Sequence, residues 1–261
     1  MHHIFMLRRA GFFHFAQSHC RPLDELTRAM KSVQSGNDVT DSLIVLPEAF
    51  NLGRQYDLND GAKERPLLDE QDVLARLREI AKTHKVVFVV GLIEIETRRN
   101  SAYLVDARSP RLMCHKIMND GSQEYEPCTS DCERENPIGY GDEMCVGALI
   151  CADAIDNRPK KQMVNWMNDQ RCREPAESAF QRLTSLQSNL KGKRSLVCVP
   201  AYMLTTMYNP EICGSGLILA NSHPGGSSFI KDNRSCKLRA ADECLNQICL
   251  EEIRSIMPQE K

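Results

Sequence analysis

Three side chains suited to concerted acid–base and nucleophilic work follow three apolar runs: Glu48 after LIVLP, Lys116 after LMCH, and Cys151 after VGALI. A free thiol, with a pKa of ~8.5, is only a few per cent thiolate at neutral pH and needs a base or a cationic neighbour to act as a nucleophile. A glutamate supplies the base and a lysine the charge. Each residue also has a plainer reading: a solvated turn glutamate, a surface lysine, a core cysteine. Their order and their common position just past a predicted strand favour the joint reading, because open α/β folds place their sites at the carboxyl ends of strands.

The elements that must bring them together are legible in outline. Leu23, Leu26, Met30 and Val33 fall on one helical face over 22–34, and Ser35-Gly36-Asn37-Asp38 ends the pattern. The short run Leu43-Ile44-Val45-Leu46, stopped by Pro47, suits a buried strand. Asp69 is placed to cap a second helix with Val73, Leu74, Leu77, Ile80 and Ala81 as its stripe. VVFVVGLIEI follows as a strand buried on both faces. Tyr103 to Val105 and Leu112 to Cys114, flanking Arg108-Ser109-Pro110, predict a hairpin with Lys116 at its far end.

Residues 119–143 are polar and read as one long loop, a length that usually has a functional reason. It leads to a strand over Val146 to Ile150, closed by Cys151. Beyond it, Met163, Trp166 and Met167 predict one helical stretch, and Phe180, Leu183, Leu186 and Leu190 another, with Glu174-Pro175 between them. Strands are expected at Leu196 to Val199, Leu217 to Ala220 and Ser228 to Ile230, and a final helix through Leu245, Ile248, Glu252 and Ile256. This alternation marks an α/β protein. With no repeat, low-complexity tract or linker, residues 1–261 are expected to form a single domain.

Composition narrows the function. A formal net charge of −2 and a pI near 6.4 offer no basic field for nucleic acid or for an anionic membrane. The longest apolar run, Val86 to Ile93, is far short of the ~18 residues that cross a bilayer. The amino terminus interrupts its apolar residues with Arg8, Arg9 and His14 and has no small-residue cleavage site, so a secretory signal is not expected. Twelve cysteines are many, but several sit singly in apolar runs, where a reduced cysteine acts as a small hydrophobe. A cytoplasmic location with mostly unpaired thiols is the expectation.

LPEAF around the glutamate, HK at the end of the hairpin and GALICAD around the cysteine, in that order, resemble the motifs of the nitrilase (carbon–nitrogen hydrolase) superfamily. SLVCVPAYM and LILANSHPGGSSFI look like the family's strands after the cysteine. The resemblance implies a four-layer α-β-β-α sandwich with two mixed β-sheets, and assembly as a homodimer or higher homo-oligomer. It implies that Glu48, Lys116 and Cys151 are catalytic, hydrolysing a small linear amide or carbamoyl compound through a thioester, with no cofactor and no metal. Lys116 and the backbone N–H of Ala152 would hold the oxyanion, and the small Ala152 would widen the pocket. Asp153 matches the family's Cys-x-Asp and would support the nucleophile from behind.

ERENPIGYGD resembles the family's Glu-Arg stretch before a Gly-Asp turn, which makes Glu133 the candidate for an assisting glutamate. Glu124, Glu126 and Glu135 remain rivals. The competing expectation is a non-catalytic member that uses the fold for binding or assembly. Cys128 and Cys132 with Cys114 or Cys145 would make a poor zinc site, since no second matching pair or histidine accompanies them. His2 and His3 have no confirming context as ligands. His223-Pro224-Gly225-Gly226 reads as a loop, and its glycines lack the following Lys-Ser/Thr of a phosphate cradle.

Overall fold

A computed structural model of the chain describes residues 4–7, 22–34, 39–51, 68–118, 136–140, 144–154, 170–201, 216–221, 228–231, 234–236, 238–240 and 245–248. Seven strands make the first sheet: β1 (Ile4–Leu7), β2 (Leu43–Val45), β3 (Val87–Ile93), β4 (Asn100–Val105), β5 (Pro110–His115), β12 (Leu238–Ala240) and β13 (Leu245–Ile248). They lie in the order β12-β13-β1-β2-β3-β4-β5. The second sheet holds β6 (Ile138–Tyr140), β7 (Met144–Ala148), β8 (Arg194–Ala201), β9 (Gly216–Asn221), β10 (Ser228–Lys231) and β11 (Arg234–Cys236), ordered β11-β10-β9-β8-β7-β6. Both sheets are mixed. In the first, β1, β2 and β3 are parallel and the remaining pairings antiparallel. In the second, β7, β8 and β9 are parallel.

Side-chain alternation explains the layering. Leu43, Val45, Val87 and Val89 point one way, into a core shared with Val146, Ala148, Leu196 and Cys198 of the second sheet. Ile44, Phe88, Val90 and Leu92 point the other way, against α1 (Pro22–Gln34) and α2 (Glu70–His84). The stripe Leu23, Leu26, Met30 and Val33 is buried there as its spacing predicts. On the far side α3 (Gln170–Leu190) lays Leu183, Leu186 and Leu190 over the second sheet. The order is helix, sheet, sheet, helix, the four-layer sandwich expected from the sequence.

Three expectations are corrected. The span 119–143 is not wholly loop, because Ile138–Tyr140 forms an edge strand on β7. Glu174-Pro175 does not divide two helices: α3 runs through Pro175, which forfeits one ladder bond near the start of a helix whose later turns are fixed by the buried leucines. Leu245 to Ile248 is a strand rather than a helical turn, recruited by β1 with Leu7 opposite Leu245. Phe180 lies in α3 with Leu183, Leu186 and Leu190, as expected, but is 38% exposed where they are buried. Met163, Trp166, Met167, Glu252 and Ile256 lie outside the described residues. Among the described residues no helix is long and apolar enough to cross a membrane.

Candidate active site

Strand direction brings the carboxyl ends of β2, β3 and β5 to one rim: β2 and β3 are parallel, and two antiparallel steps make β5 point with β3. The parallel pair β7 and β8 ends at the same rim, since the Glu48 N–H reaches the carbonyl of Ala201 at 3.4 Å, across from the first sheet to the second.

Glu48 sits in the turn that follows β2. The Leu46 and Phe50 N–H groups donate to Val89 and Gly91 carbonyls at 2.7 and 2.9 Å, so both sides of the turn are tied to β3. Asn51 completes the anchorage: its amide accepts from Ile93 N–H and donates to the Ile93 and Leu68 carbonyls. Gly91 makes the close approach possible. A Cβ there would stand 2.9 Å from Glu48 Cα and 3.1 Å from Pro200 Cβ.

Lys116 lies one residue beyond β5, its backbone N–H donating to the Asn100 carbonyl at 2.7 Å. Its ammonium donates to Glu48 Oε1 at 2.6 Å, and both side chains are buried. Asn100 Nδ2 donates to the same oxygen at 2.7 Å. Glu48 Oε2 is buried and has no hydrogen-bond partner among the described residues. The pair therefore keeps one carboxylate oxygen occupied and the other available.

Cys151 opens a short 3-10 turn, Cys151–Ala154, beyond β7. Leu149 N–H donates to the Cys198 carbonyl at 3.1 Å, extending the β7–β8 ladder toward the turn. Cys151 is 6% exposed with φ of 45°, a left-handed conformation that few non-glycine residues adopt and that is often found at functional sites. Asp153 ties this turn to the lysine: its carboxylate accepts from the N–H groups of Ile117, at 3.0 Å, and Met118, at 2.7 Å. Ala152 packs with Ile117, Met118 and Ala179 in one small apolar cluster. Burial pushes the Asp153 carboxyl up to about 6, against the opposing pull of Arg182, the two N–H donors and Lys116.

The segment carrying Lys116 is held at every residue. Arg182 on α3 donates to the His115 carbonyl and stands 3.7 Å from Asp153. The His115 ring meets Ser101 Oγ at 2.6 Å, and Ser101 donates in turn to Glu94, as do Tyr103 and Thr97. Burial raises the Glu94 carboxyl, but the hydrogen bonds from Ser101, Thr97 and Tyr103, with His115 nearby, outweigh it and hold the group below its usual range. Burial lowers the His115 imidazole, favouring its neutral form, despite the attraction of Glu94.

Of the residues singled out from sequence, the structure joins Glu48 to Lys116 directly and Asp153 to the backbone just after Lys116. Cys151 and Ala152 stand on the turn that Asp153 anchors. Glu133, with its rivals Glu124, Glu126 and Glu135, lies outside the described residues, as do Cys128, Cys132, His2, His3 and His223. Cys114, Cys145, Cys151 and Cys198 carry thiols rather than disulfides. Burial pushes the Cys198 thiol up, which suits an inert core residue rather than a nucleophile.

Two residues of the site escaped the sequence reading. Asn100 had a faint signal, an amide three residues before a predicted strand whose partner leads to the lysine. Arg182 had a clearer one: it shares helical spacing with Ala179 and Leu186, so a charge falls on the buried stripe.

No family model matches the sequence, and none of the curated proteins matches it. Solved structures do. An amidase from Nesterenkonia sp. is similar over 94% of this chain and 89% of its own, with a TM-score of 0.59 and 17% identity. A glutamate-to-glutamine variant of the amidase from Nesterenkonia sp. AN1, carrying acrylamide added at its active-site cysteine, covers 98% of this chain and 97% of its own at 15% identity and a TM-score of 0.59. A cysteine-to-serine variant of the Nesterenkonia AN1 amidase, a protein of the nitrilase superfamily, covers 94% and 90% at 17% identity and a TM-score of 0.57. The chain thus has the fold of nitrilase-superfamily amidases.

Proposed function

We propose that this chain is a carbon–nitrogen hydrolase of the nitrilase superfamily that cleaves a small linear amide or carbamoyl compound, with Cys151 as nucleophile, Glu48 as general base and acid, and Lys116 as oxyanion donor. The observation that carries the reading is the buried Glu48–Lys116 pair at 2.6 Å, tied through Asp153 to the turn that starts with Cys151. A glutamate and a lysine sealed from water are expensive to keep together for stability alone, since apolar residues of similar size would serve as well. Their presence in a site whose neighbouring turn starts with a cysteine of left-handed backbone makes sense as chemistry.

In the reaction, the Cys151 thiol passes its proton to Glu48 Oε2, and the thiolate forms a bond to the amide carbon. The carbonyl oxygen becomes an oxyanion held by Lys116 Nζ and the Ala152 N–H. Collapse of this intermediate breaks the C–N bond while Glu48 returns the proton to the nitrogen, so ammonia or an amine departs and a thioester remains. Glu48 then takes a proton from water, whose oxygen attacks the thioester. Cleavage of the C–S bond gives the carboxylic acid, and the proton on Glu48 restores the thiol. The sum is amide plus water to acid plus amine.

The test is ammonia release over a panel of ω-amides, carbamoyl amino acids and nitriles, comparing the wild type with Cys151→Ala. Activity on at least one amide that disappears in the variant supports the mechanism, whereas hydrolysis surviving without the thiol would end it. Pairing into a homodimer belongs to the same proposal, and light scattering coupled to size exclusion checks it: a mass near 29.6 kDa would rule it out.

A further inference from the structure

We infer that Asn100 is a positioning residue that, with Lys116, fixes the orientation of the Glu48 carboxylate as the base; the inference rests on the hydrolase reading above. Two bonds place Asn100 between the glutamate and the lysine. Its carbonyl accepts from Lys116 N–H at 2.7 Å, and its side-chain N–H donates to Glu48 Oε1 at 2.7 Å. The register explains how one residue does both: Ser101 pairs with His115, so Asn100 stands opposite Lys116 one step further along the hairpin.

An ammonium is a compact point charge with rotatable donors, and by itself it would let the carboxylate swing about a single contact. Asn100 removes that freedom. Its amide is planar and carried on the first residue of a strand, so its N–H approaches Glu48 from one direction. With Asn100 and Lys116 both on Oε1, the carboxylate cannot turn over without breaking two buried bonds. Oε2, which lacks a hydrogen-bond partner among the described residues, is left as the atom to exchange protons with the thiol and the leaving nitrogen.

The fold gains little from an amide at this point. Asn100 is 2% exposed, and its Oδ1 is also buried without a hydrogen-bond partner among the described residues. A buried acceptor left so is a burden that an apolar residue would avoid. The arrangement is accounted for if the N–H is needed for orientation.

The experiment uses the full chain with Asn100→Ala and Asn100→Asp. The aspartate keeps the side-chain shape and the backbone bond to Lys116 but replaces the donor with an acceptor. Kinetics on the best amide of the panel are expected to show kcat reduced ~100-fold with KM within about threefold, because misplacing a reacting group removes stabilisation present only in the transition state. Iodoacetamide labelling read by mass spectrometry, with Cys145 as internal reference, is expected to show Cys151 losing its reactivity advantage. A folded variant of either kind with kcat within about threefold of wild type overturns the inference, as does failure of both variants to fold, which would make Asn100 structural.

Failure of the hydrolase reading looks different. The wild type would then release no ammonia from any compound, and the labelling arm would decide Asn100 alone. Slower Cys151 labelling in the variants supports the positioning role, and unchanged labelling overturns it. A wild-type Cys151 no more reactive than Cys145 overturns both.

Discussion

Glu48 and Lys116 satisfy each other inside the protein, and removing one leaves the other as a buried charge without its partner. Lys116→Met is therefore expected to lower the unfolding free energy by about 3–5 kcal/mol in urea titrations. Adding Glu48→Leu should recover most of that loss while leaving the chain inactive, because two apolar residues replace a pair whose desolvation offsets much of its attraction. A double variant no more stable than the single one would refute this account. Asp153 gives a pH signature. Its carboxyl, raised to about 6 by burial, keeps a proton that the unfolded chain releases near the ordinary carboxyl value of 3.8. Its contribution to stability is fully present below that value and is lost as the pH rises through about 6, amounting to roughly 3 kcal/mol across the window. Unfolding of wild type and Asp153→Asn followed from pH 4 to 7 should show the wild type losing stability relative to the variant as pH increases. A constant difference would contradict the assignment.

Strands and turns set how closely these groups approach, and two glycines make contrasting cases. At Gly91 an added methyl meets the backbone of Glu48 and the ring of Pro200, neither of which can swing aside. Gly91→Ala should cost about 1–3 kcal/mol of stability and, by shifting Glu48, about 100-fold in kcat. At Gly147 the methyl meets Leu186 Cδ1 at 2.9 Å, the end of a flexible side chain. Gly147→Ala should cost less than about 1.5 kcal/mol and spare activity. Thermal melts and initial rates on the two variants check both, and equal activity losses would show that proximity to Glu48 is not what matters at Gly91. The cap on α2 was readable in advance because it is local: Asp69 Oδ1 accepts from Gln71 and Asp72 N–H at 2.8 and 3.1 Å. β6 was not readable, because three residues inside a polar segment become a strand only when the edge of β7 is there to pair with them.

Across the whole molecule, the two sheets share one core, and the site rests on the rim where both end. β3 and β8 are internal strands of their sheets and lie against each other across the interface. Their amides should exchange hydrogen only through global unfolding, whereas those of the edge strands β5 and β6 should exchange through smaller openings. Native-state exchange under rising denaturant measures this, and protection of β3 or β8 below that of β5 would mean that the sandwich does not unfold as one unit.

The amino-acid sequence by itself determined the periodic elements, the cap on α2 and the placing of Glu48, Lys116 and Cys151 after strands, since each depends on neighbours within a few residues. Only the tertiary structure decided that Leu245–Ile248 is a strand beside β1, that Pro175 lies inside a helix, and that Asn100 and Arg182 belong to the site. Those outcomes depend on partners far away along the chain. A short segment takes the conformation that an open sheet edge or a packed leucine stripe stabilises, and the role of a buried amide is set by the carboxylate that folding brings to it.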